Sequence, residues 1–296
     1  DALGGAIEAI GYMKSRLVES NTQRLNKIAS KETTVVGVNK FTTGEPSPLT
    51  AGDGGIMMVD PDVEKDQVHR LKAWRSARDD EAVEVALSNL RAAAQAGENI
   101  MPTSIAAAKA GVTTGEWATQ MRLIYGEYRG PTGVVRGVSN QGEGLDEIRD
   151  AVDLVSQKLG RRLSFLMGKP GLDGHSNGAE QIAARARDCG MEIAYDGIRF
   201  TPEQLIASVQ EQQPHVIGLS ILSGSHIPLV EDMMKRLKLA QLDKTPVVVG
   251  GIIPREDMIR LKAMGVAKIY TPKDFEMNAI MMDIVSLADP TNLAAE

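Results

Sequence analysis

The C-terminal half of the chain alternates between short apolar runs and longer segments with helical periodicity. The run 216–222 lacks polar alternation, which favours a strand covered on both faces. Five strands are predicted, at 163–167, 192–195, 216–222, 246–249 and 268–270. The predicted helices that follow them cover 178–188, 202–212, 227–239, 254–264 and 275–288. This order predicts a parallel sheet, and right-handed crossovers favour a flavodoxin-like, doubly wound α/β domain.

The N-terminal half has helical periodicity but no second alternating sheet. We predict a long helix at 6–31, one or two helices within 66–96 and two more within 104–125, with one strand-like run at 35–38. The segment 42–62 is rich in turn residues, and 130–146 is glycine-rich and is predicted to be an exposed connection. We therefore expect a mainly helical linker or accessory region over 1–150 and a ligand-binding sheet domain over 151–296.

Composition narrows the class of protein. A chain of 296 residues with 43% hydrophobic and 24% charged residues is typical of globular proteins with two modest domains. The net charge of −6 argues against broad nucleic-acid or anionic-membrane surfaces. No apolar stretch approaches the ~20 residues of a membrane span. Cys189 is the only cysteine, so we expect no internal disulfide and a reducing, cytoplasmic setting, with Cys189 packed inside. The chain begins Asp-Ala-Leu-Gly-Gly, which we interpret as the start of a piece of a longer protein.

Four segments with candidate binding residues lie at the carboxyl ends of predicted strands. They are the Gly-rich loop 168–178, the segment 220–225, the pair Gly250-Gly251 and the segment 270–272. The carboxyl ends of parallel strands lie at one edge of a sheet, where doubly wound folds bind ligands. The alternation alone therefore predicts that these segments meet at one site.

The Gly-rich loop contains Asp173, His175 and Gly178 in the spacing D-x-H-x-x-G. A loop histidine can bind a metal, and a nearby aspartate can fix which ring nitrogen does so. The same spacing also fits an ordinary solvent-exposed turn. Hydrolase, zinc-protease and Walker motifs are absent from the sequence. We expect His226 to be a polar loop residue. His215, before a strand, and His69, on a polar helix, are expected to be solvated.

The spacing of three motifs carries a resemblance. D-x-H-x-x-G is followed after 41 residues by Ser220-x-Leu222 and after 27 more by Gly250-Gly251. This series resembles the cobalamin-binding domain of "base-off, His-on" B12 proteins. The resemblance implies that His175 binds cobalt from below, with Asp173 hydrogen-bonded to the other ring nitrogen, and that Gly174 and Gly178 allow close approach of the corrin ring.

The same resemblance implies a slot for the displaced nucleotide tail of cobalamin. Ser220, within the S-x-L motif that ends at Leu222, would hydrogen-bond the benzimidazole. Gly250 and Gly251 would leave the slot open, and Tyr270 and Thr271 would close its far wall.

The region before the sheet domain resembles the segment that joins barrel and cobalamin domain in adenosylcobalamin-dependent acyl-CoA mutases. The residues that carry this resemblance are 4–8, 35–40 and 115–128. The run 169–182, with Leu172, together with 101–102 and 110–115, is more similar to the branch that isomerises ethylmalonyl-CoA than to the branch that isomerises methylmalonyl-CoA. The resemblance implies a radical isomerase whose acyl-CoA site lies in a TIM-type barrel missing from this chain.

On this interpretation the chain has no catalytic residue of its own, and it is inactive alone. The full-length enzyme is expected to form a homodimer and to receive its cofactor from a G-protein chaperone. Three alternatives stay open: the cobalamin part of a methylmalonyl-CoA mutase, a corrinoid methyl carrier, and a flavodoxin-like module that binds a flavin or nothing.

Overall fold

The structure, a computed structural model, describes residues 3–43, 60–128, 132, 144–272, 274 and 276–293. The chain divides into two compact units, one formed by Asp1–Gly44 with Arg129–Glu296 and the other by Glu45–Tyr128. Most of the predicted turn-rich segment 42–62 and of the connection 130–146 lies outside the described residues. No helix within the described ranges is long and apolar enough to cross a bilayer.

The first unit contains a five-stranded parallel sheet with the order β2-β1-β3-β4-β5. Its strands are β1 (Ser164–Gly168), β2 (Glu192–Ala194), β3 (Val216–Ser220), β4 (Val247–Gly250) and β5 (Lys268–Tyr270). The helices along the chain are α1 (Ile10–Ala29), α2 (Pro61–Ala77), α3 (Asp80–Gln95), α4 (Met101–Ala110), α5 (Thr114–Tyr125), α6 (Leu145–Leu159), α7 (Asn177–Asp188), α8 (Pro202–Gln212), α9 (His226–Leu239), α10 (Arg255–Ala263), α11 (Met277–Ala288) and α12 (Pro290–Leu293). The predicted doubly wound α/β fold with a helical N-terminal region is confirmed.

Each face of the sheet is covered by helices. Residues of α6, α7 and α11 pack against Phe165, Met167 and Val248 on one face. Residues of α8, α9 and α10 pack against Leu166, Val247 and the other side chains of the opposite face. Alternate residues of a strand point to opposite faces, so apolar residues without polar alternation give two cores, one on each side.

Two local features differ from the expectation. Helix α6 was not predicted, although its buried residues Leu145, Ile148, Val152 and Val155 follow the spacing of one helix face. The helical periodicity of this segment was visible in the sequence, but the polar residues of α6 outnumber its apolar residues. The strand-like run 35–38 forms only an isolated bridge between Val36 and Lys40, around a turn in which Gly37 has a φ of 78°.

The second unit consists of α2 to α5. Val83, Leu87 and Leu90 of α3 form its buried core, with Trp117 packed against them. At its edge the Arg78 guanidinium donates two hydrogen bonds of 2.7 Å to the carboxylate of Glu116. The bonds from Arg78 lower the pKa of Glu116 to about 2, against the opposing effect of burial. The predicted helices within 66–96 and 104–125 are each resolved into two.

Candidate functional site

The loop after β1 is anchored by its backbone to the segment before α8. Phe200 N donates to Lys169 O over 3.1 Å, and Gly171 N donates to Phe200 O over 2.9 Å. Gly171 has a φ of 82°, and an added Cβ would lie 2.8 Å from Leu229. A side chain would be strained in this conformation and would crowd Leu229, so the turn requires glycine. This turn directs Asp173 inward and leaves His175 on the surface.

Asp173 is the centre of the loop. It is 5% exposed, and its Oδ1 accepts from His175 N over 3.0 Å while its Oδ2 accepts from Leu222 N over 2.8 Å. Burial raises the pKa of Asp173, but hydrogen bonds from the amides of His175 and Leu222 and from the side chains of His175 and Lys169 lower it more. The pKa therefore lies well below its usual range, and Asp173 is a carboxylate at neutral pH.

His175 lies against this carboxylate. Its Nδ1 is 2.7 Å from Asp173 Oδ1, and its side chain is 76% exposed. An ionised carboxylate can only accept hydrogen bonds, so Nδ1 carries the proton in the neutral imidazole. The lone pair is then on Nε2, on a ring that is open to solvent. The arrangement provides one nitrogen ligand in a fixed tautomer.

Lys169 is a residue of this site that sequence reasoning missed. Its side chain is fully buried, and its Nζ lies 3.1 Å from Asp173 Oδ2, 2.9 Å from Ser220 O and 3.4 Å from Ser220 Oγ. Burial lowers the pKa of Lys169, and its bond to Asp173 opposes that effect. Three acceptors match the three protons of an ammonium group. The available signal was a lysine at the end of an apolar run, four residues before an aspartate, because a buried charge needs a partner.

Three of the predicted residues are neighbours across the sheet edge. Ser220 of β3 pairs with Gly250 of β4, and Gly250 pairs with Tyr270 of β5. The Tyr270 hydroxyl donates to Asp283 over 3.1 Å, and Thr271 bonds Asp274 through its amide and its hydroxyl. The register thus brings the ends of β3, β4 and β5 side by side, as the alternation of the sequence predicted.

A cavity of about 310 Å³ opens at this edge. Much of its wall is apolar, formed by residues such as Phe165, Met167 and Ile182. The predicted residues that line it are Gly178, Ser220, Leu222, Gly250, Gly251, Tyr270 and Thr271. Asp173, Gly174 and His175 are outside this lining and belong to the loop. The site therefore has two parts, a polar loop and a mainly apolar cavity.

The two glycines after β4 differ in their surroundings. A Cβ added to Gly250 would meet no atom within 4 Å, so this glycine leaves open space beside the cavity. A Cβ added to Gly251 would lie 1.9 Å from the backbone oxygen of Ile221. Gly250 therefore keeps the cavity wide, whereas Gly251 permits close contact between two backbone segments.

Two other histidines differ from the expectation. His226 was predicted to be a polar loop residue, but it is the first residue of α9, is 3% exposed, and its Nε2 lies 2.8 Å from Asp257 Oδ2. His215 was predicted to be solvated, but its Nδ1 accepts from Ser164 N over 2.9 Å, and burial lowers its pKa. Both partners come from distant sequence, so a local pattern could not reveal them. His69 is exposed, and Cys189 is fully buried, as expected.

Comparison with known families decides what the sheet domain is. Residues 163–274 match the family model of the B12 binding domain. The sheet domain is a B12-binding domain. Residues 1–127 match a different family model, that of methylmalonyl-CoA mutase. The B12-binding domain thus follows a segment related to acyl-CoA mutases.

Curated relatives cover the whole chain. This chain is 64% identical to ethylmalonyl-CoA mutase of Cereibacter sphaeroides over 296 aligned residues. The alignment covers 100% of this chain and 45% of that protein. The chain is 53% identical over 289 residues to ethylmalonyl-CoA mutase of Methylorubrum extorquens, 97% of this chain and 42% of that protein. Identity to methylmalonyl-CoA mutase of Cereibacter sphaeroides is 30% over 279 residues, 92% of this chain and 39% of that protein. The chain therefore spans less than half the length of these relatives.

The residues present fit a cobalamin. Within the described ranges, no cluster of three or more His, Cys, Asp or Glu side chains could hold a metal ion. His175 instead offers a single exposed nitrogen, which suits a metal whose remaining ligands would come from a macrocycle and not from the protein. The cavity beside the loop is mainly apolar and bordered by Ser220 and by the open space at Gly250, which suits an aromatic base with polar edges.

Proposed function

We propose that His175 binds the cobalt of cobalamin through Nε2. The observation that carries the proposal is the exposed His175 ring, whose Nδ1 lies 2.7 Å from the buried carboxylate of Asp173. Asp173 holds the proton on Nδ1 and makes the ring a better electron donor. Lys169 Nζ and the Leu222 amide donate hydrogen bonds to Asp173 Oδ2 and fix the orientation of its carboxylate. The absence of side chains at Gly174 and Gly178 leaves room for the corrin ring.

The nucleotide tail of cobalamin occupies the cavity in this proposal. Ser220 lies at the end of β3, where its Oγ accepts a long bond of 3.4 Å from Lys169 and keeps its own proton to donate to the tail. Gly250 leaves open space beside it, while Gly251 lets the backbone of the cavity wall pass close to Ile221. Tyr270 and Thr271 form the far wall. Their hydroxyl groups are engaged by Asp283 and Asp274, which supports a role in shaping the wall rather than in bonding the tail.

We further propose that the whole protein is an adenosylcobalamin-dependent acyl-CoA mutase that interconverts ethylmalonyl-CoA and methylsuccinyl-CoA. Adenosylcobalamin, when bound, supplies the radical chemistry. The residues of this chain bind the cofactor, orient its lower face and hold a proton on His175 Nδ1; none of them is catalytic. Identities of 64% and 53% to ethylmalonyl-CoA mutases, against 30% to a methylmalonyl-CoA mutase, support this substrate over the alternative.

The remaining expectations belong to the same proposal. The acyl-CoA substrate binds a barrel outside this chain, with 1–150 as linker and 151–296 as cofactor domain. The full-length enzyme is a cytoplasmic homodimer loaded by a G-protein chaperone, with neither nucleic acid nor membrane as a partner. The match of residues 1–127 to an acyl-CoA mutase family argues against the alternative of a methyl carrier.

The nitrogen ligand can be tested without activity. The chain would be labelled uniformly with ¹⁵N and loaded with unlabelled cobalamin reduced to Co(II), and its electron paramagnetic resonance spectrum recorded. A protein nitrogen on cobalt splits the lines into doublets, whereas the cofactor's own ¹⁴N gives triplets. We expect doublets in the unmodified chain and in His69→Ala, an exposed histidine that serves as the control. Triplets in the unmodified chain, or doublets that persist in His175→Ala, would refute the ligand assignment.

The substrate is tested on the full-length enzyme. We expect a higher kcat/KM with ethylmalonyl-CoA than with methylmalonyl-CoA, and no turnover by this chain alone. A preference for methylmalonyl-CoA would refute the substrate, and turnover by this chain alone would refute the need for a barrel.

A further inference from the structure

Helix α1 forms one wall of the cavity. Asn21 and Leu25 of α1 line it, together with Gly178, Ala179 and Ile182 around the start of α7. These α1 residues lie within the 1–127 match to the mutase family and outside the 163–274 match to the B12 family. The cavity is therefore completed by a segment that does not belong to the matched B12-binding region.

Buried polar contacts hold α1 on the first turn of α7. Thr22 Oγ1 lies 2.8 Å from Gln181 Oε1, and Gln181 Nε2 donates to Val18 O over 3.1 Å. Lys14 Nζ lies 2.9 Å from Glu180 Oε1, and the Glu180 side chain is 3% exposed. Breaking such contacts leaves buried polar groups unpaired, so α1 is fixed rather than loosely associated. Helix α7 begins at Asn177, two residues after His175, which ties this contact to the loop.

Asn21 differs from the other polar residues of the wall. Gln181 is bonded to α1, and Tyr270 and Thr271 are bonded to aspartates. The Asn21 side chain forms no hydrogen bond with the residues that the structure describes. A free amide offers two donors and one acceptor beside a mainly apolar space. Leu25, one turn further along, presents apolar surface to the same space.

We propose that α1 is part of the cobalamin site, with Leu25 packed on the aromatic base of the nucleotide tail and Asn21 hydrogen-bonded to the tail's polar groups. The proposal rests on the proposed function, since it assumes that the tail enters the cavity. It makes retention of the cofactor depend on a segment of the mutase region. Loss of α1 contacts would then release the tail while His175 and its loop stay intact.

The test compares two corrinoids on the full chain. Hydroxocobalamin carries the nucleotide tail, and aquocobinamide lacks it but keeps the corrin and cobalt. Affinities would be measured by absorbance titration for the unmodified chain, Asn21→Ala, Leu25→Ala and the double variant. Gln23→Ala, an exposed residue of the same helix, is the matched control, and circular dichroism checks folding.

We expect Asn21→Ala to weaken cobalamin binding about 3- to 10-fold and Leu25→Ala about 10-fold. Cobinamide affinity should change less than about 2-fold in both, and Gln23→Ala should bind both corrinoids normally. Unchanged cobalamin affinity in the double variant, or an equal loss for both corrinoids, would overturn the role of α1. An unmodified chain that binds neither corrinoid would overturn the proposed function and this inference with it.

Discussion

The loop and the cavity are built from different kinds of interaction. In the loop, Lys169, Asp173 and His175 form a continuous chain of charged and polar contacts, and two of the three are buried. In the cavity, much of the wall is apolar and the shape is set by glycines and strand ends. The stability of a buried polar network depends on every hydrogen-bond partner, whereas ligand binding in an apolar cavity depends on its free volume. The loop should therefore be sensitive to removal of a group, and the cavity to addition of one.

Lys169→Met tests the loop and should have the largest effect. The change leaves Asp173 buried without its cation, and breaking a buried pair costs about 3–5 kcal/mol. Urea unfolding of the apo chain would measure the loss. Lys235→Met, on the exposed surface of α9, should change stability by less than about 0.5 kcal/mol. A Lys169→Met chain as stable as the control would show that the loop does not depend on its ion pair.

Gly251→Ala tests whether the end of β4 tolerates any added atom. The new Cβ would lie 1.9 Å from the Ile221 oxygen, so the backbone must shift, and we expect a loss of about 3 kcal/mol in unfolding free energy. Gly250→Ala is the matched control, because its Cβ meets no atom within 4 Å. Denaturant midpoints of the two variants measured side by side check this, and equal midpoints would contradict it.

Gly250→Phe tests the cavity without disturbing the fold. The ring would extend into the open space at the end of β4, where aromatic residues are well tolerated in strands. We expect near-normal stability and cobalamin affinity reduced about 100-fold, equivalent to about 2.7 kcal/mol. Cobinamide binding should be much less affected, because cobinamide has no tail. Unchanged cobalamin affinity would place the tail elsewhere.

Acid titration should give the smallest effect and should report on the loop alone. The pKa of Asp173 lies below its unfolded value near 3.9, so its contribution to stability is complete above that pH and is lost as the pH falls below it. We expect the stability difference between the unmodified chain and Asp173→Asn to shrink by about 1–2 kcal/mol between pH 5 and pH 2.5. Urea midpoints across this range would show it, and a constant difference would argue against an ionised Asp173.

The sequence predicted the sheet and the convergence of its strand ends because apolar runs and glycine stops are local signals. Ser220, Gly250 and Tyr270 were expected at one edge, and the register places them side by side. The places of Lys169, Asn21 and Leu25 in the candidate site were not predicted from the sequence. Lys169 Nζ contacts Ser220, 51 residues later in the chain, and α1 contacts α7 through Thr22 and Gln181, which are 159 residues apart. These long-range contacts depend on tertiary packing, and the one local sign of them was Lys169 at the end of an apolar run, four residues before Asp173.

The burial of Cys189 has a practical consequence for following these parts in solution. Burial raises the pKa of this sole cysteine to about 11, so its thiol is both inaccessible and largely protonated at neutral pH. An introduced cysteine would then be the single reactive position. Leu172, 90% exposed in the loop, accepts such a substitution without loss of packing. A spin label at Leu172→Cys would report on loop mobility without removal of the native thiol.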